Sequence, residues 1–210
     1  MPSSRRCASR KKNDSPPIHP PKQVLRLMEL LQRQGYEAYA VGGCIRDSLL
    51  GLSPNDWALT CSALPEETIR ALPGYQVLAT GLQHGTVTVV ADGMPVEITT
   101  YRVDGTYSDG RHPDSVTFSR NLVDDLARRD FTVNAIAYHP SKGLVDPYNG
   151  LHDLHSRTLR CVGIPEQRFQ EDALRILRGL RFASTLGFTI EKKTAYAMFQ
   201  QKNLLHQISE

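Results

Sequence analysis

The chain predicts a fold that mixes α-helix and β-strand, an α+β arrangement in which interleaved strands and helices are followed by helices alone. Three observations predict it. Apolar residues recur at helical spacing near the start, at Val24, Leu27, Met28 and Leu31, the pattern of a helix with one buried face. Short segments rich in Val, Ile and Thr, bounded by Gly, Pro and Asp, follow up to about residue 102, and these read as strands and turns. From Asn121 onward the pattern becomes mostly helical.

The elements can be justified in order. Residues 22–35 form a helix, with Gly35 where a C-cap belongs. "YEAYAVGG" is a short strand running into a glycine turn, and "CIRDSLLG" a short helix closed by Gly51. "DWALTCSA" is a strand and "LPEETIRAL" a helix with Pro65 near its start. "YQVLAT", "GTVTVVA" and "MPVEITTYR" are three strands, the last two joined as a hairpin through "ADGMP". Residues 103–120 are rich in Gly, Asp, Ser and Pro and read as one long loop, of the kind that is functional or mobile. The last segment, "EKKTAYAMFQQKNLLHQISE", is amphipathic and stops without a closing element, so a longer enzyme cut inside a helical domain is expected.

Composition narrows the classes. With 210 residues, 40% hydrophobic and 22% charged, the chain has an ordinary globular balance and room for one or two domains. A net charge of +3 permits a nucleic-acid partner without arguing for one. No apolar run approaches the ~20 residues that a membrane span needs, so no membrane partner is expected. The N-terminal arm is basic and then Pro/Ser-rich, lacks the apolar core of a secretory signal, and is expected to be disordered. Cys7, Cys44, Cys61 and Cys161 form no CxxC pair. They read as thiols in a reducing cytosol rather than as zinc ligands or a disulfide framework.

Candidate chemistry gathers on the second strand. Side chains alternate faces along a strand, so positions 56, 58 and 60 share one face while Trp57 and Leu59 enter the core. Asp56 stands on the open face, and Ala58 stands beside it. Glu97, flanked by core residues Val96 and Ile98, can come close on a neighbouring strand. Clustered carboxylates suit Mg²⁺, a hard cation that activates a hydroxyl and neutralises a triphosphate. Taken singly, each acid reads as readily as a turn cap or a surface ion pair. Gly42 and Gly43 shift the balance, because glycines at a strand-to-helix turn let backbone N–H groups approach phosphates.

These motifs occur in one order: "GGCIRDSLLG…PNDWALTCSALPEE", "GLQHGTVTVV", "EITTYR", "RRDFTVNAIAY", "DPYNGLHDL" and "EDALRILRGLRFASTLGF". Together they resemble the class II, bacterial-type tRNA nucleotidyltransferases, the CCA-adding enzymes, whose relatives are the bacterial poly(A) polymerases. The resemblance implies a nucleotidyltransferase palm with a mixed sheet and then a helical neck. It suggests an arm over 1–21, a head over 22–148 and a truncated neck over 149–210. It implies Mg²⁺ on Asp56 and Glu97, CTP and ATP as nucleotides, the tRNA 3′ end as partner, and a cytoplasmic location. The family pattern at the metal site is Asp-x-Asp. This chain has Asp56-Trp57-Ala58, so an acid is missing at position 58 and impaired transfer is expected.

The same resemblance assigns nucleotide contacts to Gly42, Gly43, Arg46 and Asp47. Asp130 and Asn134 are given the ribose, and Arg128 or Arg129 phosphate oxygens. On a continuous helix, Glu171, Asp172, Arg175 and Arg178 would share one arc, with Ala173, Ile176, Leu177 and Leu180 opposite. Salt bridges on a solvated face are the plain reading. The family reading has Asp172 accept from the amine of C or A while Arg175 donates to the ring beside it, Glu171 orienting Arg175 and Arg178 lying near the phosphates. "DGRHPDSV" resembles a full-length flexible loop, which favours complete CCA addition. A poly(A)-adding enzyme and a non-catalytic nucleotide or tRNA binder are the alternatives.

Overall fold

The computed structural model describes residues 18–79, 81–108 and 113–207. Most of the expected N-terminal arm, with Cys7, and the first half of "DGRHPDSV" lie outside the described residues. Helix α1 (Lys22–Arg33) leads into β1 (Ala38–Val41), α2 (Gly43–Leu49), β2 (Trp57–Cys61) and α3 (Pro65–Ala71). Strands β3 (Gln76–Leu78), β4 (Thr86–Ala91), β5 (Met94–Thr100), β6 (Arg102–Asp104) and β7 (Val116–Phe118) follow, then α4 (Leu122–Ala127), β8 (Ala137–His139) and β9 (Gly143–Val145). The remainder is α5 (Gly150–His155), β10 (Thr158–Leu159), α6 (Pro165–Glu171), α7 (Leu174–Leu186), β11 (Thr189–Ile190) and α8 (Lys192–Gln200).

Seven strands form one sheet in the order β3-β4-β5-β2-β1-β8-β9. It is mixed because β2 and β5 run parallel while their neighbours pair antiparallel. Strand β1 is buried on both faces. Ala38 and Ala40 join the main core with Val24, Leu27, Met28 and Leu31 of α1. Tyr39 and Val41 face a second cluster with Tyr101, Leu122, Leu126 and Val162. The main core continues into the helical part through Phe169, Ile176, Phe182, Phe188 and Met198, so the two parts share buried apolar surface.

A second connection is made by backbone. Thr132 N donates to Arg160 O at 2.9 Å, Val162 N donates to Asp130 O at 3.0 Å, and Phe131 bridges Cys161. Strand β10 then pairs in parallel with β11. Gly150 allows α5 to sit tight against this segment, since a Cβ there would lie 2.2 Å from Thr132 O.

Three expectations need correction. The 103–120 stretch is not only loop, because β6 and β7 pair within it as a small two-stranded sheet. The chain after Asn121 is not mostly helical at first: β8 and β9 extend the large sheet beside β1. Both strands are three residues long, too short to show alternation in sequence. The segment "EDALRILRGLRFA" is not one helix. Helix α6 ends at Glu171, Asp172 is extended (φ −143°, ψ 101°), and α7 starts at Leu174. The break resets the helical phase. Leu177 and Leu180 are therefore 45% and 52% exposed, whereas Arg175, Ile176, Gly179 and Phe182 are buried.

Cys44, Cys61 and Cys161 are free and buried. Burial pushes the Cys61 thiol up to about 11 and the Cys161 thiol up to about 12, which makes both inert near neutral pH. Among the described residues, no helix is long and apolar enough to cross a membrane.

Candidate active site

The site starts where β1 ends. Gly42 has φ +84° and ψ −137°, a conformation open to glycine because any Cβ would clash with its own backbone. A Cβ on Gly42 would also meet Arg129 Nη1 at 3.2 Å, and one on Gly43 would meet Arg46 Nη2 at 3.5 Å. Gly42 therefore leaves room for the Arg129 guanidinium over the backbone, while at Gly43 the approach of Arg46 is ordinary contact. We expect Gly42→Ala to cost about 1–3 kcal/mol of backbone strain. It should also displace Arg129, so a urea midpoint should fall together with polyphosphate affinity.

Strand β2 supplies the acidic side. Register pairs Trp57 with Val96, Ala58 with Glu97 and Leu59 with Ile98. Trp57, Leu59, Val96 and Ile98 are buried in the main core, which turns Ala58 and Glu97 together onto the opposite face. Asp56 stands immediately before β2 and lines the same recess as Ala58 and Glu97. Among the described residues, no group of three or more His, Cys, Asp or Glu side chains gathers as a metal cluster. With Ala at 58, two carboxylates remain on this wall, Asp56 and Glu97. Their oxygens fit a hard divalent cation.

The cleft has two lobes, of about 440 and 550 Å³, that share Gly43, Arg46, Arg178, Arg181 and Phe182. Asp47, Asp56, Ala58 and Glu97 line one lobe. Gly42, Arg128, Arg129, Asp130, Asn134, Asp172 and Arg175 line the other. Every site residue singled out from sequence except Glu171, which reaches the cleft through Arg175, thus lies along this one cleft.

A hydrogen-bond chain crosses it. Arg46 Nε donates to Asp47 Oδ1 at 2.8 Å, and Arg46 Nη1 donates to Asn134 Oδ1 at 2.7 Å. Asn134 Nδ2 donates to Asp130 Oδ1 at 3.0 Å, and Arg178 Nε donates to Asp130 Oδ2 at 2.9 Å. Burial alone would raise the Asp130 carboxyl, but Arg178, Asn134 and the Phe131 N–H outweigh it and hold it below the ordinary range.

Asp125, which sequence reading overlooked, organises the arginines. It is fully buried. Its Oδ1 accepts from Arg128 Nε and Nη2 at 2.9 and 2.8 Å, and its Oδ2 from Arg129 Nη2 and Thr60 Oγ1, both at 3.0 Å. Burial pushes its carboxyl up, yet the Arg129 and Arg128 charges win and hold it low. The Asp–x₂–Arg–Arg spacing in "DLARR" was the available signal, since acids and arginines three and four apart meet on a helix face. Arg128 is therefore turned to Asp125, with Asp104 Oδ2 at 3.7 Å from its Nη1, while Arg129 keeps Nη1 beside Gly42.

At the far end, Arg175 donates through Nη1 to Glu171 Oε2 at 2.9 Å and through Nη2 to Arg128 O at 3.0 Å. Burial disfavours its charge, but Tyr107, Glu171 and Asp172 more than compensate and raise its pKa. Asp172 Oδ1 accepts from Leu174 N at 2.9 Å, across the helix break. Asp172 Oδ2 lies 3.9 Å from Arg175 Nε, so an acceptor and a donor stand side by side at the lobe wall.

A mixed sheet with one carboxylate on β5 and another just before the parallel strand β2, facing an arginine-lined cleft, is the layout of a nucleotidyltransferase. Comparison with known proteins agrees. Residues 38–160 match the family described as the poly A polymerase head domain, and the chain belongs to that family. It is 46% identical over 193 residues to a CCA-adding enzyme of Geobacillus kaustophilus, covering 91% of this chain and 47% of that protein. It is 46% identical over 187 residues to a CCA-adding enzyme of Streptococcus mutans, covering 89% and 46%. The crystal structure of the Bacillus stearothermophilus CCA-adding enzyme in complex with CTP matches with a TM-score of 0.82 at 42% identity, over 90% of this chain and 45% of that one. A tRNA nucleotidyltransferase complexed with a primer tRNA and an incoming ATP analog matches with a TM-score of 0.67 at 30% identity, over 85% and 50%. The chain spans about half the length of these relatives.

Proposed function

We propose that this chain is the nucleotide-selecting and catalytic half of a tRNA nucleotidyltransferase, with a head over 22–148 and a neck over 149–210. The enzyme adds C, C and A to the tRNA 3′ end from CTP and ATP, without a nucleic-acid template, and Ala58 impairs the transfer. The observation that carries the reading is one cleft lined by Asp56 and Glu97 in one lobe and by Asp172 and Arg175 in the other. Identity of 46% to CCA-adding enzymes supports it. The free buried thiols fit a reducing compartment, the cytoplasm.

Each residue then has a task. Asp56 and Glu97 would hold Mg²⁺ through oxygen donors. Bound there, Mg²⁺ supplies charge neutralisation at the triphosphate and activation of the attacking 3′-hydroxyl. Gly42 and Gly43 let the nucleotide's phosphates approach the backbone, and Arg129 and Arg46 meet their oxygens. Asp130 and Asn134 hold the ribose hydroxyl. Asp172 accepts from the exocyclic amine of C or A, and Arg175 Nε donates to the ring acceptor beside it. U and G present the opposite pattern and leave buried groups unpaired.

Equilibrium binding tests this. CTP and ATP should bind at least about tenfold more tightly than UTP and GTP, the equivalent of one good hydrogen bond. Asp172→Ala should erase the preference rather than weaken all four equally. A preference for ATP alone would favour the poly(A) branch, and equal binding of all four would overturn the base-reading role. Ala58 itself favours a second reading, a nucleotide- and tRNA-holding protein without transfer. That reading predicts normal nucleotide preference and no recovery of transfer in Ala58→Asp.

A further inference from the structure

We infer that His139 is an acid-sensitive clip at the outer edge of the sheet: as the neutral ring it holds the β8–β9 turn and the end of α1 in place, and as the imidazolium it releases them. The inference is independent of the nucleotidyltransferase reading, since neither His139 nor any of its partners lines the cleft. His139 ends β8 and is 6% exposed. Its Nδ1 accepts from Ser141 N at 3.1 Å, Ser141 Oγ at 3.0 Å and Lys142 N at 3.3 Å. The nitrogens of a neutral imidazole divide into one donor and one acceptor. Two main-chain N–H groups fixed on Nδ1 make it the acceptor, so the proton rests on Nε2, which meets the side-chain amide of Gln32 near the end of α1. One ring thus closes the turn into β9, the last strand of the sheet, and ties that turn to a helix at the other end of the head.

Protonation reverses this arrangement. The imidazolium carries N–H on both nitrogens, so Nδ1–H would point at the two main-chain N–H groups from which Nδ1 now accepts. A main-chain N–H cannot become an acceptor; of the three partners, the Ser141 hydroxyl alone can rotate to accept. The ring therefore stays neutral or leaves the turn. Its surroundings favour the neutral form. From β1, the Tyr39 ring packs edge-on with centroids 5.5 Å apart. From the turn, Lys142 Nζ lies 5.4 Å from the Tyr39 centroid and donates to Glu37 Oε1, just before β1, at 2.8 Å. Burial and the Lys142 charge outweigh the attraction of Glu37 and hold the imidazole below its ordinary value of 6.5. The open turn carries no such penalty. The closed form is therefore fully favoured above 6.5, and as pH falls through that value toward the closed-state pKa the advantage drains away. Ala137 and Tyr138 pair with β1 without the ring, so β8 stays in the sheet while the turn opens.

Amide hydrogen exchange, read by NMR and corrected for intrinsic rates, tests this at about pH 7.5 and about pH 5.5, on either side of the imidazole range. We expect protection at Ser141 and Lys142 to fall about tenfold, the limit for one group carried a unit below its ordinary pKa, while Leu59 in β2 keeps its protection. The His139 ring should titrate below 6.5, in step with that loss. His139→Asn supplies a side-chain acceptor before Pro140 that takes up no proton in this range, so it should hold the turn at both pH values. Equal protection of Ser141 and Lys142 at both pH values in the unsubstituted chain overturns the inference. So does a parallel loss at Leu59, which would mark global unfolding, or a loss in His139→Asn as large as in the unsubstituted chain. Should His139→Asn fail to fold, the ring titration of the unsubstituted chain decides by itself, and a value at or above 6.5 overturns the inference.

Discussion

Ala58→Asp is expected to raise Mg²⁺-dependent CMP transfer to a tRNA lacking its terminal CCA by about two to three powers of ten. Register places position 58 directly beside Glu97 on the parallel strand, and strands in a sheet lie about 4.8 Å apart. A carboxylate at 58 would therefore complete a three-acid wall with Asp56. A further oxygen donor fixed where charge develops contributes several kcal/mol to the transition state, and each ~1.4 kcal/mol is a tenfold change in rate. Independently of turnover, Mn²⁺ titration should show tighter or additional ion binding in Ala58→Asp. Unchanged transfer together with unchanged Mn²⁺ binding would remove position 58 from the metal site.

Asp125→Ala is expected to be the most damaging single change to stability. It removes the carboxylate that holds Arg128 and Arg129 at a fully buried position and leaves the Thr60 hydroxyl only Thr99 O, at 3.2 Å. Breaking a buried ion pair by removing one partner costs about 3–5 kcal/mol. For a chain of this size that is a fall of about 6–20 °C in melting temperature. Polyphosphate binding should fall as well, because Arg129 loses the acceptor that holds it beside Gly42. The folded Asp125 carboxyl lies below its ordinary value of 3.8. Above that value both folded and unfolded states are ionised and the stabilisation is complete. As pH falls through 3.8 toward the folded pKa, the unfolded chain takes up the proton first and the stabilisation drains away. Asp130 behaves in the same direction. Acid denaturation should therefore be shallower in Asp125→Asn than in the unsubstituted chain.

Much of this was legible in the sequence for physical reasons. The α1 face and the β2 and β5 alternation follow from burial on one side, so Val24, Leu27, Trp57, Leu59, Val96 and Ile98 announce themselves by period alone. Strands β8 and β9 did not, since three residues buried beside a central strand carry no period. The break at Asp172 was hidden for another reason. Its neighbours are good helix formers, and the interruption is set by the Asp172 side chain accepting from Leu174 N, a local bond that competes with the helix. Projecting the phase across it misplaced Leu177 and Leu180. The cleft residues were found through ordered motifs rather than geometry. Asp125 and Arg181 escaped because the motifs direct attention to "RRD" and "EDALR" and not to the acid before the first or the arginine beyond the second.

The stitching of residues 130–132 onto 160–162 has a mechanical consequence. Two main-chain bonds and a β-bridge join the segment that carries Asp130 to the polypeptide that leads into α6 and α7. Arg178 of α7 also bonds Asp130, which bonds Asn134, so the two walls of one lobe are tied to each other by backbone and side chain. On the proposed reading, in which Asp130 and Asn134 hold the ribose and Asp172 and Arg175 the base, such a tie keeps the base-to-sugar spacing constant and leaves any adjustment of the cleft to the β2 wall.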